Sequence, residues 1–286
     1  MKYTTLIFCF VVSLVATLVH PTESKTNWKS KDLLADAKGR SRPAAKMLKK
    51  RWPNNTVHIR FVADFPEKYR RQVRAAMAAL NDLTCLTIKE APNPKTYAIK
   101  VDWKERACFA FRGYAKFAKG MQIINLHPIC FGDRLGTVIH ELIHAIAFDH
   151  QHVRVDRDKY LTIHKDRISK ENFSNFKRSS GKYDFLWTLG LPYDFNSVMH
   201  YGVKSFSTGK ENTITLKQKF PGEVGQKSGP SRSDIAAINR LYECRNHYLG
   251  EDIPGALRYK HFHAAYLAKK PKVSSALRKW RKKIKT

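Results

Sequence analysis

The first regular alternation of apolar and polar positions lies at residues 56–62, where Val57, Ile59 and Phe61 are separated by polar side chains. A two-residue period of this kind predicts a half-buried strand. From Pro66 to about Leu83 the period changes, because apolar residues recur three or four positions apart, and this predicts a helix. The apolar face of that helix comprises Tyr69, Val73, Ala76, Met77 and Leu80.

Two more apolar segments, 98–103 and 122–126, predict further strands, and the segment around 138–146 predicts a buried helix. Helices and strands in this order indicate an α+β lobe with a twisted mixed sheet over residues 52–150. Regular periodicity is weak from residue 151 to residue 244, where Tyr, Phe, Ser, Gly and Lys dominate. We therefore expect a two-lobed domain over 52–244 whose second lobe, 151–244, is rich in loops.

The N-terminus carries the pattern of an exported protein. Lys2 precedes an apolar run at 6–16, and polar residues return at 20–24. The run is short for a membrane span, so residues 1–24 are predicted to be a signal peptide, with a membrane anchor as the alternative. Residues 25–51 are polar and basic and are interpreted as a pro-segment or N-terminal arm. Within them, 38–42 is either a processing site or a solvated basic loop.

Cysteine usage agrees with a secreted, extracellular protein. Cys9 leaves with the signal, and four cysteines remain at positions 85, 108, 130 and 244. An even number suits disulfides in an oxidising compartment, but four cysteines permit three pairings and spacing does not choose among them. Two sequons, beginning at Asn54 and Asn172, are candidate glycosylation sites.

The net charge of +29 favours polyanions as partners. Much of it lies in a basic C-terminal tail, residues 245–286, with eleven Lys and Arg from Arg258 onward. Apolar residues at helical spacing (Val273, Leu277, Trp280 and Ile284) suggest a basic amphipathic helix that binds an anionic membrane or polyanion. A solvated disordered tail is the alternative. A specific nucleic-acid binder conflicts with the signal segment, and the chain has no recognised nucleic-acid motif.

Candidate chemistry is concentrated at residues 140–150. His140 and His144 are four positions apart, so on a helix they project from one face and can bind one metal ion. His150 supplies a third imidazole if the chain turns after His144. Three protein ligands and an open position for water are typical of a catalytic zinc ion. Histidines packed in a core are the alternative interpretation.

Glu141 lies beside the first ligand and can reach the fourth, water-filled coordination position. Zinc lowers the pKa of bound water towards about 7. The Glu141 carboxylate is then predicted to act as the general base: it takes the proton of the attacking water and passes it to the leaving amine. The expected activity is that of a zinc endopeptidase acting on protein or peptide substrates, with one Zn²⁺ per chain.

These residues resemble the signature of the astacin family of metzincin metallopeptidases, H-E-x-x-H-x-x-G-F-x-H-E-x-x-R-x-D-R-D. Matching positions are His140, Glu141, His144, Phe148, His150, Arg154, Asp156, Arg157 and Asp158. Residues 197–201 resemble the family's Met-turn, S-x-M-H-Y. The resemblance implies that Met199 lies under the zinc, and that Tyr201 is an extra ligand that stabilises the tetrahedral intermediate. It also implies the disulfides Cys85–Cys244 and Cys108–Cys130.

The chain departs from the family pattern at three places. Ala147 replaces a glycine before the third histidine, which costs roughly 1 kcal/mol if that residue has positive φ. Gln151 replaces the glutamate that meets the mature N-terminus in the family, and it supplies no charge. The pro-segment lacks the family's F-x-G-D motif. Because every predicted ligand and the base are present, an active enzyme is favoured over a catalytically weak, cation-rich binding protein.

Overall fold

The computed structural model describes residues 50–115, 122–179 and 188–269. Its first lobe is built on a five-stranded sheet with strand order β2-β1-β3-β5-β4. The strands are β1 (Thr56–Phe61), β2 (Thr87–Glu90), β3 (Ile99–Asp102), β4 (Cys108–Ala110) and β5 (Ile123–Leu126). β1 is parallel to β2 and β3, β3 is parallel to β5, and only β4 is antiparallel to its neighbour. This mixed sheet confirms the α+β prediction.

Helix α1 (Glu67–Leu83) packs against this sheet at strand β2 and ends just before Cys85. The predicted apolar face is confirmed for Val73, Ala76, Met77 and Leu80, which are all buried, whereas Tyr69 is only partly buried and stacks on Phe131. Pro66 precedes the first turn, where its fixed φ and missing N–H cost no helical hydrogen bond. Helix α2 (Gly136–Ala145) follows the last strand and carries the first two candidate ligands.

The second lobe contains little regular structure, as its weak periodicity predicts. A two-stranded antiparallel sheet pairs β6 (Leu161–Ile163) with β7 (Ile214–Leu216). Short 3-10 turns occupy Gln151–Val153, Arg157–Lys159, Lys165–Arg167 and Lys170–Phe176. The core of the lobe is largely aromatic and comprises Leu161, Ile168, Phe176, Tyr193, Phe195 and Ile214. Helix α3 (Arg232–Leu241) closes the lobe and begins with a capping box between Ser231 and Asp234.

Packed structure continues past Cys244, where the sequence suggested that a basic tail begins. Helix α4 (Tyr259–Lys269) places Phe262 in a fully buried position, with 1% of its surface exposed. Phe262 lies against the guanidinium of Arg240, whose Nε donates to the carbonyl of Leu249 at 2.8 Å. An apolar ring buried at this depth stabilises the lobe by about 1.5–3 kcal/mol. Phe262 therefore packs against the second lobe.

Two disulfides join the pairs that the family resemblance implied, Cys85–Cys244 and Cys108–Cys130. The first connects the two lobes, because Cys85 follows α1 and Cys244 follows α3. The predicted signal peptide, nearly all of the predicted pro-segment and the basic segment beyond residue 269 lie outside the described residues. Among the helices of the described ranges, none combines the length and the apolar character needed to cross a bilayer.

Candidate metal centre and active site

Helix α2 presents two histidines to the cleft from an otherwise apolar, buried segment. His140 and His144 are one turn apart, and Val138, Leu142 and Ile143 around them are buried. Packing of these apolar side chains fixes the rotation of the helix about its axis, so the two imidazoles have no freedom to turn away from the cleft. The predicted helical placement of the first two histidines is confirmed.

The chain then leaves the helix through a left-handed turn at Ala147, which has φ +89°. The N–H of Ala147 donates to the carbonyl of His144, and the N–H of Phe148 donates to the carbonyl of Ile143. This pair of bonds is a Schellman motif, in which glycine is the usual residue at the left-handed position. The turn redirects the backbone so that His150 faces back towards the helix. The predicted turn, and the positive φ at the family's glycine position, are both present.

The three imidazoles meet at a single point. The Nε2 atom of His150 lies 3.3 Å from Nε2 of His140 and 3.1 Å from Nε2 of His144. Nitrogen atoms held 2.0–2.1 Å from a tetrahedral zinc ion lie about 3.3–3.4 Å from one another. The spacing of the donor atoms therefore fits a zinc ion bound by all three residues.

Hydrogen bonds at the opposite ring nitrogens orient two of the histidines. Nδ1 of His140 is 2.7 Å from the carbonyl oxygen of Val198, and Nδ1 of His144 is 2.9 Å from that of Phe148. A carbonyl only accepts, so each Nδ1 carries the proton and each Nε2 presents a lone pair. Outer hydrogen bonds of this type fix the tautomer of metal-binding histidines.

Burial keeps these rings neutral. The pKa of His140 and that of His150 are lowered well below the usual value for histidine, first by desolvation and then by the neighbouring imidazoles. The pKa of His144 is lowered by desolvation as well. Neutral imidazole is the form that binds a metal ion. The site is therefore prepared for a cation at neutral pH.

Glu141 follows the first histidine and lies at the wall of the same cleft. Only 4% of its surface is exposed, and its Oε2 atom is buried without a hydrogen-bond partner among the described residues. Desolvation raises the pKa of this carboxyl to about 8, and the ammonium of Lys227 opposes that rise. A buried carboxylate oxygen without a partner is costly in a folded protein, and such groups cluster at functional sites.

The turn at residues 197–201 is hydrogen-bonded to the segments that carry the histidines. The carbonyl of Met199 accepts the N–H of Gln151 at 2.9 Å, which ties the segment after His150 to this turn. The Tyr201 ring lies 4.4 Å from the His150 ring and stacks on the His152 ring at 4.0 Å. Burial raises the pKa of Tyr201 to about 12, so its hydroxyl keeps its proton at neutral pH.

An open cleft of about 680 Å³ contains the candidate groups together. Its lining includes His140, Glu141, His144, His150 and Tyr201, so the structure brings all five predicted site residues to one surface. Strand β4 at the edge of the sheet forms one wall, and residues 174–179 of the second lobe form another. A cleft of this size accommodates an extended segment of peptide.

Residues 154–158, the last part of the signature, stabilise the second lobe through hydrogen bonds and ion pairs. Arg154 binds Asp156 through two nitrogens, at 2.8 and 2.7 Å, and also donates to the carbonyl of Pro192. Arg157 donates to the carbonyls of His152 and Phe176. Paired guanidinium contacts of this kind are rigid. These residues therefore support the cleft without reaching the metal centre.

Two charged residues near the centre were not predicted from the sequence. Asp234, the third residue of α3, accepts from the N–H of Val198 and from the hydroxyl of Ser197. Lys227 lies 3.5 Å from the carbonyl of Val198. The capping pattern Ser231-x-x-Asp234 marks a helix start and nothing more, and Lys227 is one of 53 Lys and Arg residues. Only the fold brings both residues to the Met-turn.

Comparison with known families identifies relatives of this chain. Residues 44–243 match the family model described as Astacin, a peptidase family. An astacin-like metalloendopeptidase of Gallus gallus is 35% identical over 212 residues, covering 72% of this chain and 49% of that protein. Astacin-like metalloprotease toxin 1 of Loxosceles intermedia is 33% identical, over 71% of this chain and 75% of the toxin. The chain thus spans about half the length of the avian relative.

Among solved structures, high choriolytic enzyme 1, a hatching enzyme zinc-protease from Oryzias latipes, has a similar fold. The two share 30% sequence identity with a TM-score of 0.59, over 68% of this chain and 94% of the fish enzyme.

Proposed function

The chain belongs to the astacin family of zinc metalloendopeptidases, and from that premise we propose that it is a secreted endopeptidase that hydrolyses peptide bonds with one zinc ion per chain. His140, His144 and His150 would hold the ion. Zinc, when bound, supplies Lewis acidity and lowers the pKa of a water ligand towards about 7. The observation that supports the proposal most strongly is the convergence of three Nε2 atoms in the cleft that Glu141, with its unpartnered Oε2, also lines.

We assign the general base to Glu141. Its carboxylate faces the cleft and has an oxygen free to accept a proton from the attacking water. After water adds to the peptide carbonyl, the protonated carboxyl delivers that proton to the amide nitrogen as the C–N bond breaks. Burial raises the proton affinity of this group, which favours its uptake of a proton from water.

Tyr201 is proposed to stabilise the oxyanion that forms on the peptide carbonyl. Its ring lies beside His150 and lines the cleft, and its raised pKa keeps the hydroxyl protonated. A protonated hydroxyl donates a hydrogen bond to a developing negative charge, and a single donor of this kind is worth about 10²–10³ in kcat.

Proteolysis with a defined metal dependence tests the activity. The mature protein should degrade a casein substrate, lose that activity with a strong zinc chelator, and recover it when zinc is added back. Glu141→Gln should retain zinc and reduce kcat/KM by at least about 100-fold. Proteolysis that is insensitive to chelation, or full activity in the Glu141→Gln variant, would refute the assignment.

The two disulfides support our proposal of export through the secretory pathway. Both disulfides are formed, and disulfides persist in oxidising compartments. We propose that residues 1–24 are removed as a signal peptide and that processing at 38–42 releases the part of the pro-segment that precedes the cut. The retained chain would include Trp52, whose indole Nε1 donates to the carbonyl of Ala145 at 2.9 Å and so supports α2. Sequencing the N-terminus of protein collected from culture medium tests both cuts.

Glycosylation is proposed at Asn54 in preference to Asn172. Asn54 is exposed at the start of β1. Both ends of the Asn172 amide are engaged, since its Nδ2 donates to Ser169 at 2.7 Å and its Oδ1 accepts from Asn175 at 3.1 Å. Glycosidase treatment should therefore shift the mass of the wild type but leave Asn54→Gln unchanged, and a shift that persists in Asn54→Gln would contradict the choice.

A polyanion or anionic membrane is the proposed partner of the basic tail, residues 258–286. The charge of that segment is the support for this proposal. Because Phe262 is buried, the truncation that tests it should begin at residue 270. Removal of 270–286 should lower the salt concentration needed to elute the protein from heparin and weaken binding to anionic vesicles, and unchanged binding to both would exclude the role.

A further inference from the structure

The backbone of Val198 connects the metal centre to helix α3. Its carbonyl oxygen accepts the Nδ1 proton of His140 at 2.7 Å, and its N–H donates to the carboxylate of Asp234 at 2.9 Å. Of the two peptide groups that flank the Cα of Val198, one is therefore bonded to a predicted zinc ligand and the other to the side chain of Asp234.

Asp234 makes a second bond to the same turn. Its Oδ1 accepts the hydroxyl proton of Ser197 at 2.6 Å, and the Ser197 oxygen in turn accepts the N–H of Met199 at 3.0 Å. Three consecutive residues of the Met-turn are thus held, directly or through one hydroxyl, by one carboxylate. Although part of the Asp234 residue is exposed, its carboxylate faces the turn.

The carboxylate is also fixed from the helix side. Its Oδ2 accepts the N–H of Ser231 at 2.9 Å, and the Ser231 hydroxyl accepts the N–H of Asp234. This capping box holds the Asp234 side chain in one rotamer. Because the first turn of α3 cannot move without breaking these bonds, the position of the helix fixes the position of the Val198 carbonyl.

We propose that Asp234 is a positioning residue for the metal centre, acting through Val198 on His140. It touches neither substrate nor zinc. It holds the carbonyl that selects the His140 tautomer and orients the ring, and hydrogen bonds outside the ligand sphere commonly set metal affinity. The inference rests on the proposed three-histidine zinc site.

Zinc affinity measured by chelator competition tests the proposal without relying on turnover. Asp234→Asn should raise the zinc dissociation constant by about tenfold. This is the lower end of the range for residues that orient a ligand, because Asp234 contacts His140 only through the backbone of Val198. Asp234→Ala should raise it further, since the amide of Asn keeps one acceptor oxygen. A matched control is Ser231→Ala, which removes the hydroxyl half of the capping box but keeps the bond from the Ser231 N–H to Oδ2 of Asp234 and both bonds from Asp234 to the turn. It should change the dissociation constant by less than twofold.

Ser197→Ala supplies a milder variant if substitution of Asp234 prevents folding. It removes one bond between the turn and Asp234 and leaves the helix cap in place, so it should weaken zinc binding more than Ser231→Ala does. Equal zinc affinity in Ser197→Ala and Ser231→Ala, or an Asp234→Asn protein that binds zinc as the wild type does, would overturn the inference. A wild type that binds no zinc would instead refute the proposed function.

Discussion

Removal of the disulfide between the lobes should destabilise the protein more than removal of the disulfide within the first lobe. Cys85 and Cys244 are separated by 159 residues, and Cys108 and Cys130 by 22. Closing a longer loop removes more entropy from the unfolded chain. The chain-entropy relation gives about 5 kcal/mol for the first bond and about 3.5 kcal/mol for the second, a difference of about 1.5–2 kcal/mol.

The structure supports attributing most of this difference to the unfolded state. Cys85 follows the end of α1 and Cys244 the end of α3, and the N–H of Cys85 donates to the Sγ atom of Cys244 at 3.3 Å. Next to the disulfide, the N–H of Leu86 donates to the hydroxyl of Thr84 at 3.2 Å, and the N–H of Cys244 donates to the carbonyl of Asn239 at 2.8 Å. Serine at both cysteine positions removes the contact between the Cys85 N–H and sulfur but leaves these other two hydrogen bonds in place.

Urea unfolding followed by tryptophan fluorescence measures the effect. Both double variants, Cys85→Ser with Cys244→Ser and Cys108→Ser with Cys130→Ser, are compared in a Glu141→Gln background so that autolysis does not intervene. The variant lacking the bond between the lobes should have the lower free energy of unfolding. An equal loss in both variants, or a larger loss on removing Cys108–Cys130, would refute the reasoning from loop length.

Three further predictions concern individual side chains. Tyr201→Phe should lower kcat by about 100-fold with little change in KM, because it removes a donor to the oxyanion; a selective rise in KM would instead indicate a role in substrate binding. The free energy of unfolding should be about 1–2 kcal/mol higher for Ala147→Gly than for the control variant Ala145→Gly, since of these two alanines only Ala147 has positive φ; equal free energies would show that the turn carries no strain. His200 is buried and bonded to the Tyr193 hydroxyl and the Tyr201 carbonyl, and desolvation lowers its pKa to about 4. Between about pH 6.5 and pH 4 the unfolded chain binds a proton that the folded chain does not, so stability should fall as pH falls through this window, and less steeply in His200→Gln; parallel pH profiles of unfolding free energy would contradict this.

Sequence patterns predicted helix α1 and strands β1, β3 and β5 of the first lobe and missed strands β2 and β4. Helix α1 and strand β1 have clear periods, and the structure confirms both. Strand β2 has a single buried residue, and β4 consists of three half-buried residues at the edge of the sheet. Alternation of apolar and polar residues cannot be recognised over three or four positions. These strands form because the neighbouring strands supply backbone hydrogen-bond partners.

The candidate site shows the same division. Spacing was sufficient to place His140 and His144 on one helical face and to require a turn before His150. It gave no reason to connect Val198 with Asp234, which is 36 residues further along the chain. Burial of Phe262 was missed for a related reason, because the basic composition of the segment gave no sign that one of its apolar side chains packs against the second lobe. Contacts between distant segments follow from the fold and have no local period.

Metal stoichiometry of the purified, processed protein tests the central claim most directly. Native mass spectrometry should find one zinc ion per chain in the wild type and in Glu141→Gln, and none after substitution of His150 by alanine, because two imidazoles remain where three Nε2 atoms converged. A wild-type chain without stoichiometric metal, or a His150→Ala chain that retains its zinc at wild-type affinity, would contradict the account.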